Sequence, residues 1–501
     1  MKIKLLTSIV CLGLLFSCGN DFLDGANPGD GTLPPKAVFE TETGFVNALT
    51  GAYNLIRQYN TESNHVTIGY KDYQLAFEYA GNDIVCNPNN WWTYEASWDS
   101  FLLGPNGYQT RFYWDMFYKT INNLNGIIDA AATSELDEDF LAAIVAECKA
   151  VRGWAYFQLA RVYQLGYTQA DKNGLCVPIY LKPTTGSTLG NPAQTVEALY
   201  TQILADLSDE VIEAIPQTKP AGAFFRANQD VAYAWRAQVN YDMGNWGQAQ
   251  QDAESAIGTG SGRYPLMSQE VYAEGFNAIN SEWMWGMPFN DDQQLGYASF
   301  FSFADMGVLL DNPGAAGYAT LFINNDFVDL FSATDARNLF VEYNDMDPDS
   351  YDHWVSMKFR SLPNSFFNGD YVYMRSSEMI LLQAECFARD GNEGDAANML
   401  FMVQSARDEA VTAASTATGQ DLIDEILLER RKELYGETGV EYFDCKRLGL
   451  PMVRTGNQPL GPWSETIPAN SSKWKFSIPL REIENNPNFY PTGTKMPVAN
   501  K

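Results

Sequence analysis

The chain has 501 residues, 46% of them apolar, with 33 Lys and Arg against 62 Asp and Glu. That apolar share excludes a mostly disordered chain and is enough for a substantial core. A net charge of −29 repels phosphate and anionic headgroups, so nucleic acid and anionic lipid surfaces are poor partners.

Met1-Lys2-Ile3-Lys4 and the apolar run from Leu5 to Phe16 read as a secretory signal, too short to span a bilayer. Leu15-Phe16-Ser17-Cys18 looks like the lipobox of a bacterial lipoprotein. In that reading residues 1–17 are cleaved, Cys18 carries lipid, and the net charge becomes −31 once Lys2 and Lys4 leave. An ordinary signal peptide with an incidental cysteine is the alternative. Residues 18–35 are rich in Gly, Pro, Asp and Asn and read as a flexible tether, reaching roughly 55 Å when stretched.

Residues 36–501 form the folded body, and helical patterns dominate from about Glu40. Val151, Trp154, Ala155, Leu159 and Val162 fall on one helical face. Ala232, Trp235, Val239 and Met243 repeat that spacing, as do Ala249, Ala253, Ala256 and Ile257. Gly244-Asn245 separates those last two helices, and Gly391-Asn392 recurs after a helix expected over Met374–Arg389. A helix, a Gly-Asn turn and an Ala-rich second helix make a tetratricopeptide-like unit. The expected fold is therefore mostly α, helix pairs forming a scaffold for a loop-rich, partly β face. Residues 281–368 are the irregular insert, with a strand at Glu282–Met287 whose Trp283 and Trp285 share a side.

Catalysis finds little support. The chain has two histidines, His65 and His353, far apart, and lacks the H-E-x-x-H, G-x-S-x-G and G-x-x-x-x-G-K-[ST] motifs. No enzyme and no cofactor are expected. Asp345, Asp347, Asp349 and Asp352 alternate like a calcium loop, but Ser350 and Ser356 stand where an EF-hand needs Gly and a bidentate acid. A solvated acidic loop is the favoured reading over calcium. Beyond Cys11 and Cys18 there are five cysteines, none in a C-x-x-C pair, so no disulfide framework or zinc site is expected.

Aromatic clusters are the better lead. Sugars lay their C–H faces on aromatic rings while their hydroxyls bond to Asn, Asp and Arg. Asn82-Asp83 and Asn87-Pro88-Asn89-Asn90-Trp91-Trp92-Thr93-Tyr94 supply both types in one turn-rich stretch. Trp91 and Trp92 are the expected stacking platform, with Asn82 and Asp83 as hydrogen-bonding partners and Tyr94 beside them. Core packing or a protein interface are the alternatives. Tyr297 and Phe300, near Phe301 and Phe303, form a second candidate cluster, where core packing is favoured.

Several stretches together resemble the SusD/RagB family of outer-membrane nutrient-binding lipoproteins. Cys18-Gly19-Asn20-Asp21-Phe22-Leu23-Asp24 looks like its mature start, and Arg152 to Tyr163 is similar to its early signature helix. Tyr371 to Gly391, Glu429 to Glu437, Phe443 to Arg447, Ile478 to Ile483 and Asn486-Pro487-Asn488 resemble its later blocks in order. Thr438 to Glu441 and Leu448 depart from the pattern. Glu429, Arg430 and Arg431 read as a solvated ion-pair face. The resemblance implies a lipid-anchored protein on the cell-surface side of the outer membrane. It implies a SusC-like TonB-dependent transporter as partner and an oligosaccharide or polysaccharide as ligand. A peptide-binding member, or a structural lid with no small ligand, are the alternatives.

Overall fold

Paired helices carry the fold. The computed structural model describes residues 38–59, 64–89, 91–99, 103–311, 318–344 and 346–490. The expected signal, Cys18 and the tether lie outside the described residues. In chain order the main helices are α1 (Glu42–Gln58), α2 (Gly69–Tyr79), α3 (Tyr108–Ala131) and α4 (Glu138–Tyr163). They continue as α5 (Val196–Asp206), α6 (Gln229–Met243), α7 (Trp246–Ile257), α8 (Ser376–Arg389) and α9 (Glu393–Arg407). Last come α10 (Gly419–Leu434) and α11 (Val440–Leu448).

Helix α3 packs on α4, α6 on α7 and α8 on α9, while α7 also packs on α8. The two Gly-Asn turns have the same geometry. Gly244 and Gly391 take left-handed φ values of 77° and 79°. Asn245 N–H donates to the Asn240 carbonyl at 2.9 Å, and Asn392 N–H to the Phe387 carbonyl at 2.8 Å. Each turn is thus a Schellman motif that satisfies the last carbonyls of one helix and starts the next. Ala249, Ala253 and Ala256 are fully buried on α7, where small side chains allow close approach to α6.

The expected core faces are buried on α4, α6 and α7, apart from half-buried Met243. Trp154 from α4, Trp235 from α6 and Trp285 meet with ring centroids 5.0–5.7 Å apart. Trp285 belongs to a strand, so this cluster fastens the insert to the helices.

The strands are β1 (Ile84–Val85), β2 (Leu175–Pro178), β3 (Ala193–Thr195), β4 (Trp283–Met287), β5 (Phe322–Ile323), β6 (Phe340–Glu342), β7 (Trp354–Ser356) and β8 (Tyr371–Arg375). An antiparallel sheet runs in the order β1-β5-β7-β6, while β2 pairs with β3 and β4 with β8. The helix expected from Met374 begins two residues later, at Ser376. Tyr371 to Arg375 instead pair with β4, and Arg375 keeps an extended backbone at φ −141°.

That extension carries Arg375 into a buried ion network, which corrects the reading of Glu429 and Arg430 as a solvated face. Glu433 accepts from Arg337 and Arg407 at 3.0 Å each and also pairs with Arg375. Arg337 reaches Glu429 at 2.5 Å, and Arg375 reaches Glu282 at 2.6 Å. Burial by itself raises the Glu433 carboxyl, but Arg407, Arg375 and Arg337 together hold it well below the usual range. Charges on α10 point inward because three arginines from elsewhere in the chain meet them there. The described cysteines, Cys86, Cys148, Cys176, Cys386 and Cys445, are unpaired thiols.

Candidate functional site

The Trp91-Trp92 pair splits. Trp91 is 39% exposed, whereas Trp92 is completely buried. Trp92 stacks on Tyr79 at 5.3 Å and meets Phe303 edge-on at 5.3 Å. It is core, not a ligand platform, because the short helix at Thr93–Ala96 turns its ring inward against α2.

Asn82 and Asp83 are also buried, and their polar atoms are engaged within the protein. The Asn82 side-chain oxygen accepts from Thr455 N–H at 2.9 Å and from the Asn324 amide at 3.2 Å. Asp83 accepts from Arg431 Nε at 3.0 Å. These residues hold the base of the loop instead of reaching a ligand. Arg454 adds a second clamp, donating to the carbonyls of Ala80 at 2.8 Å, Trp463 at 2.9 Å and Ala96. Burial pulls the Arg454 guanidinium down to about 10, since backbone carbonyls rather than a carboxylate receive it. Trp98 Nε1 donates to the Ala80 carbonyl at 2.9 Å. Both ends of the Trp91 loop are therefore fixed by buried polar contacts.

Phe300 is buried as well, packing on Phe359 at 5.0 Å with Lys71 Nζ 4.6 Å from its ring centroid. Tyr94 is exposed, but it borders a separate hollow with Trp98, Leu103 and Lys473. Tyr297 is 45% exposed and does reach Trp91's neighbourhood, through residues that the sequence reading missed.

Those residues are His65, Tyr318 and Phe366. Trp91 lies 5.4 Å from both His65 and Tyr318, ring centroid to ring centroid. Tyr318 lies 5.3 Å from Tyr297, and Tyr297 meets Phe366 edge-on at 4.9 Å. Phe303 stacks against Tyr318 at 5.7 Å, so buried Trp92 supports the row through Phe303. The result is a continuous aromatic ridge, Trp91–Tyr318–Tyr297–Phe366, exposed at both ends and backed by core rings. Phe366-Phe367 repeats the logic of Trp91-Trp92: the first ring is exposed and the second buried. Its setting, Asn364-Ser365-Phe366-Phe367-Asn368-Gly369, has the turn composition that marked the first doublet.

Other concavities are less specific. One of about 1330 Å³ lies between α1 and α3 and is walled by residues such as Ala48, Gly51, Gly126 and Ala130. Among the described residues, no group of three or more His, Cys, Asp or Glu is placed to hold a metal ion. In the acidic loop, Asp352 accepts from Asn344 at 2.9 Å and from Ser350 at 2.6 Å.

These features define a helical-repeat protein whose loops, not its helices, carry an exposed aromatic surface. A SusD-like family model described as "starch-binding associating with outer membrane" matches residues 21–240, and the SusD family model matches residues 353–491. The chain belongs to the SusD/RagB family. A SusD-like carbohydrate binding protein from Bacteroides vulgatus has a similar structure, with TM-score 0.81 and 26% identity over 92% of this chain and all of that one. A SusD superfamily protein from Bacteroides thetaiotaomicron has TM-score 0.75 and 24% identity, covering 90% of this chain and 99% of that one. Surface glycan-binding protein A from the same species has TM-score 0.67 and 17% identity over 90% and 98%. The last two likenesses concern the fold. No curated protein matches the chain in a sequence search.

Proposed function

We propose that the protein captures a glycan at the outer cell surface and delivers it to a SusC-like TonB-dependent transporter. The observation that carries this reading is the exposed ridge of Trp91, Tyr318, Tyr297 and Phe366. Successive rings meet at 69°, 52° and 84°, so they offer a row of separate faces and edges to the repeating C–H groups of a sugar chain, and rings fixed from below lose little freedom on binding. A small number of well-backed aromatic anchors suffices for a binding surface. Function is then capture and release without bond cleavage. Family membership supports the outer-membrane location, and the expected lipid on Cys18 would anchor the body there. Among the described residues, no helix is long and apolar enough to cross a membrane.

The test is retardation of the soluble protein, truncated just after Cys18, in native gels containing a panel of polysaccharides. Retardation by one polymer, lost in a Trp91→Ala/Tyr297→Ala variant, is the expected outcome. Retardation that survives the double substitution would move the site elsewhere, and none with any polymer would turn attention to peptides.

A further inference from the structure

A second aromatic cavity, sharing no residue with the ridge, lies along the middle of α3. Trp114, Tyr118 and Asn122 succeed one another at i, i+4 and i+8 on one face of that helix. Tyr180 and Thr184, from the loop after β2, and Glu482, from the short helix Leu480–Asn485, close the other side. The cavity, open on one side, has a volume of about 180 Å³. That is below the roughly 300–1,000 Å³ of sites for drug-sized ligands, so it suits one compact group.

The walls are pinned before any ligand arrives. Tyr118 donates its hydroxyl proton to the Pro178 carbonyl at 2.7 Å, and the Tyr180 hydroxyl accepts from Asn191 N–H at 3.0 Å. Asn122 and Thr184 bond to each other, Thr184 N–H donating to Asn122 Oδ1 at 2.7 Å. Glu482 is oriented by the Asn486 amide at 2.9 Å and by the Trp114 side chain. A carboxylate so held still has acceptor capacity to offer. No Lys or Arg lines the cavity itself, and neighbouring Arg481, paired with Asp115 at the exposed rim, only partly offsets the Glu482 charge. Burial accordingly raises the Glu482 carboxyl above its ordinary range.

We infer that this cavity binds a small organic cation, an ammonium group on a compact carbon body, held by the Trp114, Tyr118 and Tyr180 rings and neutralised by Glu482. Ring faces attract such cations, the attraction grows when water is excluded, and a carboxylate at the same point supplies the missing counter-charge. A neutral sugar fits less well, because Asn122, Thr184 and the Tyr118 proton are already engaged with the protein. The rings lie at steep angles to one another, 43° for Trp114 with Tyr118 and 84° for Tyr118 with Tyr180. They form the sides of a cage rather than a flat platform.

Calorimetry on the purified full chain with choline, and with its uncharged isostere 3,3-dimethyl-1-butanol, tests the assignment. Choline should bind saturably and the alcohol about tenfold more weakly or worse. Glu482→Gln should weaken choline about tenfold or more, and Tyr180→Leu, which leaves the carboxylate in place, should weaken it as well. Trp91→Ala should leave choline binding unchanged, which separates this site from the ridge. Absence of saturable choline binding, equal affinity for the alcohol, or full binding by a folded Tyr180→Leu protein would overturn the proposal.

Discussion

Trp91 and Tyr318 meet edge-on with ring centroids 5.4 Å apart, joining the early Asn-rich loop to the irregular insert. This contact makes one surface out of two loops that are far apart in the chain. It also separates Trp91 from its neighbour Trp92, whose ring lies beneath the surface.

The two tryptophans should therefore respond oppositely to truncation. Trp91→Ala should weaken glycan binding by about tenfold or more, with little change in melting temperature. Trp92→Ala should cost about 3–5 kcal/mol of stability, because it empties a site between Tyr79 and Phe303. Affinity electrophoresis and urea unfolding on both variants distinguish the roles, and equal loss of stability in both would refute the split.

Removing one partner of the buried ion network should be severe. Arg375→Met leaves Glu282, Glu433 and Glu437 short of a partner and should destabilise by about 3–5 kcal/mol. The folded Glu433 carboxyl sits well below its ordinary value of 4.5, so the unfolded chain binds the proton more readily. Its contribution is complete above about pH 4.5 and fades as pH falls through the folded value. Denaturant melts across that acid range should show a shallower decline for Glu433→Gln than for the parent.

Glu95 should act in the opposite sense. Burial pushes its carboxyl up to about 7, with Gln109 donating to it at 2.7 Å. The folded state binds the proton more tightly, so this contribution is full below the ordinary value of 4.5 and is lost as pH rises through about 7. Glu95→Gln should gain up to about 3 kcal/mol relative to the parent between those limits. Melting curves of the pair from acid to neutral pH read that difference directly, and parallel profiles would refute it.

At the Gly-Asn turns, strain alone is at issue. A Cβ at Gly391 meets nothing within 4 Å, yet its φ of +79° disfavours any other residue. Gly391→Ala should cost about 1 kcal/mol, seen as a lower denaturation midpoint at unchanged slope. Gly244→Ala, in the matching motif, should cost a similar amount.

Helix periodicity carried the scaffold. The apolar faces of α4, α6 and α7 and both Gly-Asn turns follow from local spacing, because burial against a neighbouring element imposes its period on each helix, while the strand at Trp283–Met287, buried at every position, showed as a short apolar run. The ordered signature blocks carried family membership in the same way. Exposure inside an irregular loop has no such period. Whether Trp91 or Trp92 faces outward depends on what covers each ring, and that cover comes from Tyr79, Phe303 and Tyr318, remote in sequence.

The ion network makes the same point for charge. Glu429-Arg430-Arg431 reads as a solvated face when only the helix is considered, but Arg337 pairs with Glu429, and Asp444 pairs with Arg430 inside the fold. By itself the sequence determined the helical scaffold, its turns and the family, all properties of local pattern and order along the chain. Only the tertiary structure decided which rings form the ridge and which acids are buried. Both depend on side chains brought together across long stretches of chain, where contact rather than spacing decides exposure.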